Sequence, residues 1–349
     1  RGFARLNAPD IGSFEFTGCT LRELKGSWNP YPIGQSSSIS DISVVNDSVV
    51  WARDFYGDTI SISVNGGVSW TTRPFPVYEG YPRSAGGICA LSRTTAFYIQ
   101  SVSDSKGIYK TTDGGITWVK QPSGFGKNSP FPDVIHFWNE NEGVAIGDAD
   151  PNQNFEIYTT TNGGEFWNRV ADQNMPNGNK EATINSQSAY RIVGNSIFFI
   201  TNTARIFKSL DKGITWSVVN TPFFNTSLAT ASITFDFEDD NNGLVSYCSA
   251  DKSDYKMYKT SDGGQTWDLL HSCNFYDEIK YIPNLHAYFS MNQNGGLSYS
   301  CDNGQTWVSV GNLNSVRLFS VSFGPSGKIF LGGIGTMYIS AHTLTISAN

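Results

Sequence analysis

The octapeptide TTDGGITW, residues 111–118, decides the fold of this chain. The carboxylate of Asp113 accepts hydrogen bonds from the backbone N–H groups that follow it, which closes an Asx-type turn. Gly115 supplies the positive φ that such a turn needs. Because apolar-rich segments flank it on both sides, the octapeptide predicts a hairpin. Its outgoing strand begins at Trp118, whose large apolar face is available to pack on a neighbouring unit.

The same pattern, Ser/Thr-x-Asp/Asn-x-Gly-x-Ser/Thr-Trp, occurs six times, and each copy is called a box below. The boxes are SVNGGVSW (63–70), TTDGGITW (111–118), TTNGGEFW (160–167), SLDKGITW (209–216), TSDGGQTW (260–267) and SCDNGQTW (300–307). The third box places Phe166 where a hydroxyl residue is expected. The residues predicted to close the turns are Asn65, Asp113, Asn162, Asp211, Asp262 and Asp302. The tryptophans that end the boxes are Trp70, Trp118, Trp167, Trp216, Trp267 and Trp307. A recurrence every 50 residues or so indicates one supersecondary unit per box.

Short strand-like segments precede each box, for example GGICALSR, TTAFYIQ and GIYKTT before the second. Short strands joined by tight turns at this spacing are typical of propeller blades. The sequence therefore predicts an all-β fold, a single seven-bladed β-propeller over residues 1–349. Its blades have four antiparallel strands, and each box joins the third strand to the fourth. The approximate blade limits are 38–76, 85–122, 131–171, 185–221, 230–271, 276–310 and 315–349.

The seventh unit lacks a box and supplies only three strands before the tail. A closed ring leaves no free sheet edge, so the N-terminal segment 1–37 is expected to provide the ring-closing strand. Residues 13–28 are the first candidate for this strand, and the tail TLTIS (343–347) is the second.

The six boxes resemble the Asp-box, or BNR, repeat of sialidases, xyloglucanases, sortilin-type receptors and photosystem II assembly factors. This resemblance implies the fold and leaves the activity open. The stretch 133–170 is also similar to secreted Asp-box propellers of Bacteroidota, many of which carry a sorting domain for type IX secretion. That likeness implies a location outside the cell or on the outer-membrane surface. Ser48 and Thr59 lie in Asp-Ser/Thr-apolar triplets that resemble O-glycosylation acceptors of that phylum.

Composition excludes several other classes of protein. The net charge of −7 and pI near 5.1 disfavour a nucleic-acid partner, which needs clustered Lys and Arg. Apolar runs are too short for a transmembrane segment. No signal peptide is recognised at the N-terminus, so the N-terminal sequence gives no information on whether the protein is exported. The cysteines form no CxxC motif. Two alternatives remain for the cysteines: one disulfide among Cys248, Cys273 and Cys301, or buried single thiols.

Ligand-binding residues are expected in the long loops between fourth and first strands and between second and third strands. The candidates are Tyr56, Tyr78, Tyr81, Phe125, Asp148, Asp150 and Tyr255. Exposed rings suit a sugar or a protein anchor, although rings that fold back to pack the loops explain the same pattern. Asp148 and Asp150 are also a weak calcium candidate, with solvated turn acids as the plainer reading. No other cofactor or metal site is expected.

These features favour a non-catalytic binding or scaffolding propeller for a polysaccharide or protein ligand at the cell surface. No catalytic residue is assigned. A glycoside hydrolase of the sialidase or xyloglucanase type is the alternative. The arginine triad of the sialidases is missing, however, and the related xyloglucanases use two propellers where this chain has length for one. An assembly factor for a membrane protein complex is the second alternative.

Overall fold

The computed structural model describes residues 20–21, 28–34, 37–56, 59–75, 86–101, 105–126, 129–150, 154–183, 189–225, 231–249, 251, 253–271, 278–292, 294–313, 316–340 and 346–347. These residues form strands β1–β30 in chain order. Within these ranges, helix is confined to short 3₁₀ turns such as Asp172–Asn174 and Pro283–Leu285. Among the residues described, no helix has the length and apolar character to cross a membrane.

Seven sheets of four antiparallel strands make up a β-propeller, as the sequence predicts. In the first six blades the strands pair in the order in which they occur. Blades one to three contain β3 (Ile39–Val44), β4 (Val50–Asp54), β5 (Thr59–Ser63) and β6 (Thr71–Pro74); β7 (Ile88–Ala90), β8 (Ala96–Gln100), β9 (Gly107–Thr111) and β10 (Val119–Lys120); and β11 (Pro132–Phe137), β12 (Gly143–Ala149), β13 (Phe155–Thr160) and β14 (Asn168–Arg169). Blades four to six contain β15 (Tyr190–Val193), β16 (Ser196–Ile200), β17 (Arg205–Ser209) and β18 (Ser217–Asn220); β19 (Ala231–Phe237), β20 (Gly243–Ser249), β21 (Tyr255–Thr260) and β22 (Asp268–His271); and β23 (Glu278–Ile282), β24 (Ala287–Met291), β25 (Gly296–Ser300) and β26 (Val308–Asn312).

The seventh blade is assembled from both ends of the chain. Its inner three strands are β27 (Ser320–Phe323), β28 (Ile329–Gly332) and β29 (Thr336–Ser340), and its outer strand is β2 (Trp28–Pro32). Strand β2 overlaps the first candidate segment, 13–28, only at Trp28. The described part of the competing tail, β30 (Ile346–Ser347), pairs instead with β1 (Thr20–Leu21) in a separate two-stranded ladder. The ring is therefore closed from the N-terminal side.

Apolar side chains from neighbouring blades form a separate core at every junction. Phe97 of blade two stacks on Phe137 of blade three with ring centroids 4.1 Å apart, and Phe198 of blade four stacks on Phe237 of blade five at 4.4 Å. Ile339 of blade seven lies in one cluster with residues of blade one, so this junction is packed like the others. Burial of each such ring stabilises the fold by roughly 1.5–3 kcal/mol.

The boxes form the turns between third and fourth strands and press against the preceding blade. In the second box, Asp113 accepts hydrogen bonds from the N–H groups of Ile116 and Thr117 at 3.0 and 2.9 Å, and from the Thr117 hydroxyl at 2.6 Å. The glycine at the fifth position has a positive φ, for example +86° at Gly213. A Cβ on Gly213 would lie 2.8 Å from Cγ2 of Val144 in blade three. This position therefore needs glycine both for its dihedral angle and for the space.

Basic side chains add a polar link between some neighbouring blades. The amino groups of Lys110, Lys208 and Lys328 each donate a hydrogen bond to a backbone carbonyl in the box of the next blade. The acceptors are Gly163 at 2.8 Å, Gly263 at 2.7 Å and Gly66 at 2.7 Å, respectively.

Candidate functional site

The propeller has two faces, fixed by the antiparallel order of the strands. The box face carries the boxes and the turns between first and second strands. The loop face carries the connections between second and third strands and between blades, including Phe55, Tyr56, Asp148, Asp150 and Tyr255. The connections on the loop face vary most in length, and the rigid strands fix their ends. Binding residues concentrate on loops of this kind.

Large aromatic rings are exposed on the loop face. Phe55 and Tyr56 follow β4 and are 57% and 39% exposed. Their rings meet edge to face, with centroids 5.5 Å apart. Phe131 and Phe224, in connections between blades, are 44% and 40% exposed. This face therefore offers apolar anchor points to a partner, and Tyr56 is the predicted site residue that belongs to them.

The other predicted aromatic residues are placed differently. Phe125 is buried and meets the ring of Tyr158 edge to face at 4.9 Å. It therefore packs its own loop and presents no surface to a ligand. Tyr255 is half-buried at the start of β21. Tyr78 and Tyr81 lie outside the described residues.

Asp148 is held by Thr183, which lies in the connection from blade three to blade four. Thr183 donates to the Asp148 carboxylate through its backbone N–H at 2.7 Å and through its hydroxyl at 3.0 Å. The same hydroxyl also contacts the carboxylate of Asp133, a buried residue of β11. Burial raises the pKa of Asp148, and burial together with the nearby Asp148 charge raises the pKa of Asp133 well above its usual range. The two carboxylates thus share one hydroxyl group.

Asp150 takes part in a local network. Its carboxylate accepts the N–H of Asn154 at 3.2 Å and lies 3.7 Å from the guanidinium of Arg169, which also pairs with Asp172 at 2.6 Å. Within the described part of the chain, no group of three or more His, Cys, Asp or Glu side chains is arranged to hold a metal ion. The carboxylates of Asp148 and Asp150 bind a hydroxyl, backbone amides and a guanidinium, and none of these interactions calls for a calcium ion.

Three further acids of the loop face also have protein partners. Glu181 pairs with Arg205 at 2.8 Å, and both side chains are buried. Asp254 pairs with Lys256 at 2.7 Å. Asp251 accepts from the hydroxyl groups of its neighbours in the same turn. These acids therefore stabilise loops.

The first strands of the blades line a central channel, and polar side chains on them bind the next blade. The Asp41 carboxylate accepts the backbone N–H of Ile88 at 2.9 Å, and the Asp236 carboxylate accepts that of Tyr281 at 2.7 Å. Sequence reasoning missed this network. Its signal was a carboxylate within an otherwise apolar first strand, as in ISDISV and ASITFDF.

The channel contains a cavity of about 520 Å³ toward the box face. All seven first strands contribute to its wall. Arg191 and Asp236, which both line it, form a buried ion pair at 3.1 Å. Lys280, also in the wall, donates to the carbonyl of Val321 at 2.9 Å and lies 3.7 Å from Glu278. Nothing in the sequence pattern marks this space, because its lining comes from strands about 45 residues apart along the chain.

The remaining predicted positions are structural or peripheral. Trp167 and Trp216 are buried, and the other four box tryptophans are half-buried between blades. Ser48 is exposed in a turn of the box face, whereas the Thr59 hydroxyl donates to Asp54 at 3.1 Å.

The state of the cysteines is compatible with one disulfide among the three that the sequence analysis named. Cys248 is a buried thiol that forms no disulfide, as is Cys89. Cys301 is disulfide-bonded, and Cys273 lies outside the described residues.

Comparison with known proteins agrees with this architecture. A family model described as Sortilin-Vps10, "Sortilin, neurotensin receptor 3", matches residues 155–280, which run from the third strand of blade three to the first strand of blade six. This match covers less than half of the chain. A search of curated proteins finds no significant sequence match.

Solved structures with the same fold are similar over most of the chain. YCF48 bound to D1 peptide has a TM-score of 0.66 at 17% identity, covering 93% of this chain and 100% of that chain. YCF48 from Cyanidioschyzon merolae has a TM-score of 0.65 at 16% identity, covering 90% and 99%. An ancestral GH74 enzyme has a TM-score of 0.60 at 16% identity, covering 92% of this chain and 47% of that one. At these identities the comparisons show a shared propeller fold.

Proposed function

We propose that this chain is a non-catalytic binding module that takes up a segment of another protein on its loop face. The observation that carries the proposal is the pair formed by Phe55 and Tyr56, two adjacent rings that are 57% and 39% exposed. Large exposed rings at a rigid position are the residues that contribute most to protein recognition.

The state of the acids on the loop face supports binding over hydrolysis. Asp148 is bonded to Thr183, Asp150 is bonded to Asn154, and Glu181 is paired with Arg205. A hydrolytic site needs a carboxylate pair open to substrate, and these groups are instead used to fix connections between strands. A peptide ligand is further supported by the similar structure of YCF48, which is described with a bound peptide.

We also propose that the protein works outside the cytoplasm, in the medium or on the outer-membrane surface. The disulfide at Cys301 supports this location, because disulfides persist in oxidising compartments. Fractionation of the native host, followed by detection of the chain in medium, envelope and cytoplasm, tests this part separately. Recovery from the cytoplasm with Cys301 reduced would contradict it.

Selection from a peptide library, followed by titration of the enriched peptides, tests the proposed ligand. We expect Phe55→Ala and Tyr56→Ala each to weaken peptide binding about tenfold or more, as loss of an interface anchor does. Val68→Ala is the matched control, because Val68 is 58% exposed but lies in a box on the other face. No enrichment, or equal loss in all three variants, would refute the proposal. Binding to glycans on a parallel array, with no peptide retained, would show that the ligand is a glycan and not a peptide.

A glycoside hydrolase is the second candidate, favoured by one observation. Asp133 and Asp148 contact the same Thr183 hydroxyl, and burial raises the pKa of both. A general acid for glycoside cleavage needs a raised pKa and a second carboxylate nearby. Release of chromophore from aryl glycosides that is lost in Asp148→Asn would establish this activity. Turnover equal in the variant and the parent would exclude this pair.

A further inference from the structure

The cavity of about 520 Å³ in the channel lies at the end opposite the loop face. Its mouth is bordered by Gly194 and Pro283, which follow first strands and are both exposed. The volume lies within the range of 300–1,000 Å³ that is typical of sites for small molecules. Residues of all seven blades define its shape, so it is held by the same packing that closes the ring.

Charged groups in the wall of this cavity have partners within the protein. Arg191 lies 3.1 Å from Asp236 and also donates to the carbonyls of Tyr190 and Ile279 at 2.7 and 2.8 Å. The Asp236 carboxylate accepts the backbone N–H of Tyr281 as well. An ionic ligand would therefore find its counter-charges already committed to the wall, at a large desolvation cost.

Neutral polar groups and rings make up most of the polar surface of the wall, together with the half-buried Lys280 and with Glu238, whose carboxylate accepts the hydroxyl of Tyr281 at 3.0 Å. The half-buried members of the lining include the hydroxyl residues Ser43 and Ser322, the imidazole of His136, and the rings of Tyr190 and Tyr281. Burial lowers the pKa of His136 to about 4, so its ring is neutral near pH 7 and has one donor and one acceptor.

His136 is the polar side chain whose position demands an explanation. Its ring meets Trp138 edge to face at 5.0 Å, and no hydrogen bond joins it to another of the described side chains or carbonyls. A polar ring inside a protein usually has such a partner. Here both ring nitrogens remain available to a molecule in the cavity.

We propose that the cavity binds a small uncharged saccharide, one or two sugar units in size, through the box-face mouth. Its hydroxyl groups would exchange hydrogen bonds with His136, Ser43 and Ser322, and its apolar ring face would lie on Tyr190 or Tyr281. The charges in the wall that already have protein partners fit a neutral polyol, and the carboxylate of Glu238 opposes an acid. This site is separate from the loop face and adds a second ligand to the proposed module.

Titration calorimetry of the intact chain with D-glucose, N-acetylglucosamine and cellobiose tests this inference, with glucuronate as the charged comparison. We expect saturable binding of at least one neutral sugar in the millimolar range. His136→Phe keeps the ring against Trp138 but removes both nitrogens, and should weaken binding about tenfold or more. Ser322→Leu adds bulk in the cavity and should abolish binding. Ile116→Ala, at a residue 67% exposed in a box outside the channel, should leave binding unchanged.

Only variants that circular dichroism shows to be folded are compared. Binding that is lost in Ser322→Leu and weakened in His136→Phe supports the site, and either variant alone suffices if the other fails to fold. Absence of saturable binding by all three neutral sugars overturns it. So does tighter binding of glucuronate, or sugar binding that neither channel variant affects.

Discussion

The amino group of Lys208 donates a 2.7 Å hydrogen bond to the carbonyl oxygen of Gly263, which lies in the box of the next blade. Lys208 belongs to β17 of blade four, and Gly263 belongs to the turn that follows β21 of blade five. The contact joins a strand of one blade to a turn of the next, and no strand pairing links the two. Equivalent bonds from Lys110 and Lys328 indicate that it is a recurrent device for fixing one blade against another.

Removal of this bond should destabilise the ring without altering its core. Lys208→Met keeps most of the aliphatic stem and leaves the Gly263 carbonyl without its donor. We expect the free energy of unfolding to fall by about 1 kcal/mol, the usual effect of one lost hydrogen bond. Chemical denaturation measures it, with Lys120→Met at an exposed position of β10 as the control. Equal stability of the two variants would show that the bond contributes nothing.

The box glycines should tolerate a methyl group poorly. Gly213→Ala combines a φ of +86° with a Cβ placed 2.8 Å from Val144. Gly194→Ala is a close comparison, because Gly194 has a φ of +56° but a Cβ there would meet no neighbouring atom within 4 Å. We expect a loss of about 1 kcal/mol at Gly194 from the dihedral angle alone and a loss at least about 1 kcal/mol greater at Gly213. Thermal unfolding of both variants separates the two effects, and equal losses would show that the contact with Val144 is harmless.

Acid should unfold the protein partly through its boxes. The hydroxyl and backbone N–H of Thr266 donate to Asp262 and lower its pKa to about 2. Because the folded-state pKa lies below the ordinary value of about 3.9, the stabilisation is complete above that value and is lost as pH falls toward 2.

Asp262→Asn should therefore lower the melting temperature at pH 6 and converge with the parent near pH 2. Two boxes carry Asn65 and Asn162 naturally, so the variant is expected to fold. Melting curves measured every half pH unit test this expectation. Parallel curves across the whole range would rule out the proposed linkage.

Asp133 should have the opposite pH dependence. Its pKa is raised by burial and by the charge of Asp148, so its neutral form is favoured in the fold. Stability from this group is present below the ordinary carboxyl pKa and is lost as pH rises through the raised value. Asp133→Asn keeps an acceptor for Thr183 and removes the titration. Its melting temperature should exceed that of the parent at pH 7.5, with the difference shrinking toward pH 4. Asp268→Asn, at an exposed position of β22, is the control. An equal gain for Asp133→Asn at both pH values would contradict this account.

Local sequence predicted the boxes well because their chemistry lies within eight residues. Asp113 bonds to Thr117, and Trp216 donates to the carbonyl of Gly213 at 2.9 Å, as a short-range turn requires. These contacts need no knowledge of other blades. The number of blades followed from the repetition of the same unit.

Contacts between blades could not be predicted from local sequence. The link from Asp236 to Tyr281 joins residues 45 positions apart, and the link from Asp148 to Thr183 joins residues 35 apart. Phe125 lies in a long polar loop, which suggested an exposed ring, yet the neighbouring Tyr158 covers it. Which short apolar segment closes the ring also depends on sheet geometry, and Trp28–Pro32 is no more strand-like in sequence than the tail.

The pairing of β2 with β29 sets the order in which the ring is completed. Trp28 emerges from the ribosome early, but its partner Ser340 is made only after all the intervening blades. The backbone groups of β2 therefore stay solvated until β29 has been synthesised. Closing the circle is therefore a long-range step, slow by the rule that distant contacts form late. A nascent chain stalled before residue 336 would hold six blades and an open edge, the form most exposed to chaperones and to aggregation.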